Sequence, residues 1–170
     1  MNDSSEIIVI MPDSLINFGK IMNDIQSLYQ QMILDHNKNP RNFGGLEEST
    51  HSAEGHNPLC GDEVTIFMNI NDDIIQDITF KGSGCAIATS SASIMTTVLK
   101  GKTIHEAEEF FKQFHGIVTA SMDETIHTDE LGKLAVFSGV REFPARVKCA
   151  SLAWHTMNNA MHGEANASTE

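Results

Sequence analysis

The sequence predicts an α+β domain in which a small antiparallel sheet packs against several helices. The first sign is a strand pair: Val64, Ile66, Met68 and Ile70 alternate along Glu63–Ile70, and Ile74, Ile78 and Phe80 mark a second run after the turn Asn71-Asp72-Asp73. The second is that apolar residues elsewhere recur at three- and four-residue steps, the period of helices with one buried face. The third is size, since 170 residues fit one domain and can bury most of their apolar surface without a disulfide or metal.

In chain order, residues 1–19 read as a flexible N-terminal extension, 20–162 as the domain and 163–170 as a disordered tail. Ile21, Met22, Ile25, Leu28, Tyr29, Met32 and Ile33 predict an amphipathic helix that ends before Pro40. Asn42–Pro58 is polar and reads as a loop ahead of the two strands. The second strand runs into Gly82-Ser-Gly-Cys85, and Ile87, Ser91, Ile94, Met95 and Val98 then predict a helix opened by Cys85 and stopped by Gly101. Thr103 and Glu106 have the spacing of a capping box, before an apolar face of Ile104, Ala107, Phe110, Phe111 and Phe114. Residues 120–128 read as a polar loop, Glu130–Phe137 as a short helix, and Pro144 as the first turn of a last helix carrying Val147, Ala150, Trp154, Met157 and Met161.

Composition narrows the function. Eleven basic against 23 acidic side chains give a formal charge of −12, which repels nucleic-acid phosphates and anionic membrane surfaces, so neither is an expected partner. No stretch has transmembrane length, and Ile7–Met11 lacks the cationic start and the length of a signal peptide. With three cysteines, an odd number, and no export signal, a reducing compartment is expected, and the protein reads as cytoplasmic.

The cysteines carry the chemistry. Cys60, Cys85 and Cys149 are 25 and 64 residues apart, too far for a zinc-finger loop, so a shared site requires folding to assemble it. Asp62 follows Cys60 across one glycine and can supply a fourth ligand, because three thiolates and a carboxylate suit zinc or an iron-sulfur cluster. Cys85, at the start of a helix, meets unpaired backbone amides that favour its thiolate. Cys149 stands about 200° from Val147 on a helical wheel, off the main apolar stripe and free to face a separate site. Four such anions on a divalent ion leave an excess formal charge of −2, and Arg146 and Lys148 are the cations placed to offset it. His56 and His155, the histidines nearest Cys60 and Cys149 in sequence, are not expected to be ligands. No Ser-His-Asp arrangement, phosphate-binding glycine loop or H-E-x-x-H helix is evident.

Taken together, Asn57-Pro-Leu-Cys-Gly-Asp62, Gly82-Ser-Gly-Cys85-Ala-Ile-Ala-Thr-Ser-Ser-Ala-Ser93, Pro144-Ala-Arg-Val-Lys-Cys149-Ala-Ser-Leu-Ala-Trp154 and Leu28-Tyr-Gln-Gln-Met-Ile-Leu-Asp-His-Asn-Lys-Asn-Pro-Arg-Asn-Phe43 resemble the SufU branch of the IscU/NifU amino-terminal family. The resemblance covers about three quarters of the chain, from Leu28 to Trp154. Scaffold members of that wider family have a histidine directly before the last cysteine. Here Lys148 stands in that place, and a segment of roughly residues 120–140 is added upstream, both as in SufU.

The resemblance implies a SufU/IscU-like fold and zinc held by Cys60, Asp62, Cys85 and Cys149. It also implies persulfide transfer from a SufS-type cysteine desulfurase, with sulfur passing on to downstream cluster assembly proteins. In the SufU pattern a histidine of the desulfurase displaces Cys60, which becomes the sulfur acceptor, while Arg146 supports the site or engages the partner. The competing expectations are a scaffold that assembles a [2Fe-2S] cluster on the same residues and a non-catalytic zinc docking module.

Overall fold

The computed structural model describes residues 13–127 and 131–169, with side chains from residue 19 onward. The first helix, α1 (Asp13–Lys38), begins eight residues before Ile21, so residues 13–19 are helical and not a loose extension; residues 1–12, including Ile7–Met11, lie outside the described residues. The chain then forms β1 (His51–Asn57), β2 (Asp62–Asn71), β3 (Ile74–Ser83), α2 (Ala86–Leu99), α3 (Ile104–Thr119), a 3₁₀ segment Gly132–Glu142, α4 (Pro144–Met161) and β4 (Asn166–Ser168).

The expected α+β architecture is present, with additions the alternation of residues did not reveal. The sheet order is β3-β2-β1-β4; the first three strands are antiparallel, and β4 runs parallel to β1. Residues 51–57, expected as part of a polar loop, are a strand. Their inward positions are Ala53, Gly55 and Asn57, which are too small or too polar to register as a hydrophobic alternation. Gly55 has a steric reason: a Cβ there would collide with Thr156 Oγ1 of α4, so its absence lets strand and helix meet closely. The tail expected to be disordered includes β4, held by the Glu54 N–H donating to the Ala165 carbonyl at 2.8 Å.

Helices α2 and α4 cover the sheet, α1 packs on α2, and α3 packs on α4. Trp154 of α4 is fully buried and stacks on Phe114 of α3, ring centroids 4.5 Å apart. Its indole N–H donates to Ser91 Oγ at 3.2 Å, and Ser91 in turn donates to the Ala150 carbonyl at 2.6 Å, which fixes α2 against α4. The expected Thr103–Glu106 capping box and the Pro144 helix start are both present. The short helix expected near 130–137 is instead 3₁₀ over Gly132–Glu142. Leu134, Phe137 and Val140 recur every three residues and are buried, as the threefold turn of that conformation requires.

Candidate metal centre

The β1–β2 hairpin builds one side of the site. Asn57 and Asp62 are cross-strand partners, so their side chains emerge together on the inner face. Between them Pro58-Leu-Cys-Gly61 reverses the chain, with the Gly61 N–H donating to the Asn57 carbonyl at 2.8 Å and Gly61 at φ 72°, a left-handed value that favours glycine. Cys60 therefore rides on an exposed turn while its sulfur points inward. The Cys60 thiol meets Asp62 Oδ2 at 2.9 Å and Cys149 Sγ at 3.3 Å.

The helices build the other side. Cys85 is the N-cap of α2, its sulfur accepting from the Ala88 N–H at 3.4 Å as its position before the helix predicts. Its backbone N–H donates to Asp62 Oδ1 at 3.0 Å, and its sulfur lies 3.8 Å from Asp62 Oδ2. Asp62, only 3% exposed, thus joins strand, turn and helix. Cys149, 7% exposed, projects from the second turn of α4. Cys149 faces the Cys60 and Asp62 side chains, apart from the core that Ala150 and Trp154 enter, but it is buried there because α4 is central and covered around most of its circumference from Cys149 to Met157.

Ligand atoms of Cys60, Asp62 and Cys149 all lie within 4.8 Å of one another, a grouping that could hold a metal ion. The crowding has an electrostatic signature. Burial pushes the Cys149 thiol far above its ordinary range, and its contacts with Cys60 and Asp62 push the same way. Cys60 is also raised, first by desolvation and then by the bond to Asp62. Anions gathered in a partly dry pocket favour protons or a cation, and a divalent ion would reverse the penalty on the thiolates.

Residues 28–150 match the family described as NifU-like N terminal domain. The chain belongs to that family. It is 39% identical over 142 residues to the zinc-dependent sulfurtransferase SufU of Bacillus subtilis, covering 83% of this chain and 94% of the relative. The iron-sulfur cluster assembly scaffold protein IscU of Streptococcus pyogenes is 35% identical over 146 residues, covering 86% and 90%. The solved structure of FiSufU from Fervidobacterium islandicum AW-1 superposes with a TM-score of 0.70 at 35% identity, covering 76% of this chain and 93% of that one.

Within this NifU-like domain the remaining expected residues lie at or beyond the rim. Arg146 is exposed, its guanidinium 4.2 Å from the centre of the Phe143 ring, and Lys148 is half-buried. Among the described residues, no ion pair joins either one to Asp62. His56 is exposed, 3.9 Å from Glu63, and His155 packs edge-on against Phe111. The residue that sequence reasoning passed over is Asn57. It is fully buried, its Nδ2 donates to Cys60 Sγ at 2.9 Å, and the same atom lies 3.8 Å from Cys149 Sγ. The available signal was its place one residue before Pro58, where an asparagine side chain can brace a turn.

Proposed function

We propose that this protein is a zinc-dependent sulfur relay in iron-sulfur cluster assembly. It takes persulfide sulfur from a SufS-type cysteine desulfurase and passes it to downstream cluster assembly proteins in the cytoplasm. Cys60, Asp62, Cys85 and Cys149 hold the zinc, and Cys60 accepts the sulfur. One observation carries the assignment of the acceptor: in the tight group of three, Asp62 and Cys149 are buried, while Cys60 sits on an exposed reversing turn. Cys85 is also exposed, but its sulfur is engaged in capping α2. The name of the relative in Bacillus subtilis supports the reading, as do three free thiols in a chain suited to a reducing compartment.

The donor set fits the metal. Thiolates with a carboxylate are ordinary zinc ligands, and bound zinc would keep those thiolates deprotonated while adding no redox chemistry of its own. The chain's own residues do the rest. The Cys60 thiolate, on its turn, attacks the outer sulfur of the desulfurase persulfide. A sulfur–sulfur bond forms at Cys60, the bond in the donor breaks, and its electron pair leaves with the desulfurase cysteine as a thiolate, so no external oxidant or reductant is needed. Asp62 stays fixed by the Cys85 N–H, and Cys149 stays fixed by the packing of α4. Arg146, at the exposed start of α4, supports the approach of the partner.

Metal analysis of the purified protein, followed by mass spectrometry after incubation with desulfurase and cysteine, tests this. Zinc in a colourless protein and one added sulfur on the Cys60 peptide are expected. Visible absorption that appears with iron and sulfide and disappears on chelation would favour a cluster scaffold, the role named for the Streptococcus pyogenes relative. Unimpaired sulfur capture by Cys60→Ala would remove the relay assignment.

A further inference from the structure

Asn57 is an amide buried completely beside the sulfurs, and every polar atom of its side chain is engaged. Its Oδ1 accepts the Leu59 N–H at 3.1 Å. Because a backbone N–H can only donate, that contact fixes which end of the amide is oxygen, and the NH₂ must face Cys60. Nδ2 stands 2.9 Å from Cys60 Sγ and 3.8 Å from Cys149 Sγ. Across the strand pair lies Asp62, whose Oδ2 touches the same Cys60 sulfur at 2.9 Å. The sulfur is thus bracketed by a donor from β1 and an acceptor from β2, the two residues that close the hairpin.

We infer that Asn57 is a positioning residue of this site: its buried amide N–H holds the Cys60 sulfur against Cys149 and Asp62, and so places the acceptor thiolate for sulfur transfer. This rests on the relay reading for the transfer step, though the hold on the sulfur does not. The geometry supplies the reason. Cys60 rides on an exposed turn, so its sulfur is fixed by the buried side chains it meets, Asn57 among them, and the N–H bond would strengthen once zinc kept the thiolate, because a hydrogen bond to a charged sulfur is stronger than one between neutral groups. The same side chain braces the turn through Leu59, so turn shape and sulfur position are set by one residue.

The test separates those two tasks. Asn57→Ser keeps a short oxygen that can brace the turn but does not reach the sulfur; Asn57→Asp keeps the shape and replaces the NH₂ by oxygen, and serves if the serine variant does not fold. Two readouts are needed: the rate of sulfur capture at Cys60 with desulfurase and cysteine, and the sulfur-to-metal charge-transfer band of protein loaded with cobalt(II) alone. Either variant is expected to slow capture at least about tenfold. Loss of an N–H on sulfur is expected to move the band to longer wavelength, and Asn57→Gln should not restore it, because its longer side chain misplaces the amide. Wild-type capture rates in a folded variant would overturn the inference. If the wild-type protein itself takes up no sulfur, the relay reading falls and the cobalt band alone decides, an unmoved band sinking the hold on the sulfur as well.

Discussion

The turn that carries Cys60 and the helix that carries Cys149 meet at one point, yet they are built on opposite terms. The turn is exposed and fixed by a few hydrogen bonds around Asn57 and Gly61, whereas α4 is held by Trp154 against Phe114 and by Ser91 against Ala150. The contrast teaches that a single cluster can join a sulfur that is costly to move to one that is cheap to move. Packing holds the Cys149 sulfur in place, and hydrogen bonds hold the Cys60 sulfur.

Breaking the two sides separately gives the largest contrast. Cys60→Ala should abolish sulfur capture, read as loss of the mass increment, and lower metal-free stability in urea by only about 1 kcal/mol, because the turn is exposed and the loss is that of the partner of the buried Asn57 Nδ2. Cys149→Ala should also lose metal but in addition lower metal-free stability by roughly 1–2 kcal/mol, because it empties space inside a packed helix. Equal stability losses for the two would erase the distinction. Asp62→Ala comes next. Chelator competition should show zinc affinity weakened at least about tenfold, and unchanged affinity would exclude direct coordination.

A pH titration sharpens the comparison without touching the cluster. Burial holds both His36 and His155 below the ordinary histidine value of 6.5. Their folded values are depressed, so the unfolded chain takes up protons first; the stability they contribute is complete above 6.5 and is lost as pH falls through and below it. The thermal midpoint of the metal-free protein should therefore drop between about pH 7.5 and about pH 5.5, and His155→Phe, which keeps the contact with Phe111, should flatten that slope. The smallest effect is at α3. Thr103→Ala removes the capping box and should cost about 1 kcal/mol in denaturant unfolding with sulfur capture unchanged.

The helical frame was largely readable from the sequence because its signals are local. Thr103 with Glu106, Pro144, and Cys85 at the head of α2 each fix an end through chemistry within a few residues. Cys60 and Asp62 were legible as a local pair, whereas the arrival of Cys149 beside them was a matter of motif resemblance, since nothing local brings residues 89 positions apart together. What escaped was non-local. Strand β1 conceals its alternation because Gly55 answers to Thr156 across the layer, and the burial of Cys149 follows from α4 having neighbours on most sides, which no single-helix wheel can represent. Asn57 escaped because a polar residue beside a proline reads as turn chemistry until Cys60 Sγ is seen next to it.

Strand β4 carries a consequence for handling the protein. Its three residues pair with Glu54, Gly55 and His56, occupying the margin of the sheet that β1 would otherwise present to solvent. Proteolytic clipping after Gly163 would uncover that row of amides and carbonyls and invite other molecules to add strands there. Self-association on storage would then report on an opened border rather than on a damaged thiol centre, and the two faults would separate by size-exclusion profile against zinc content.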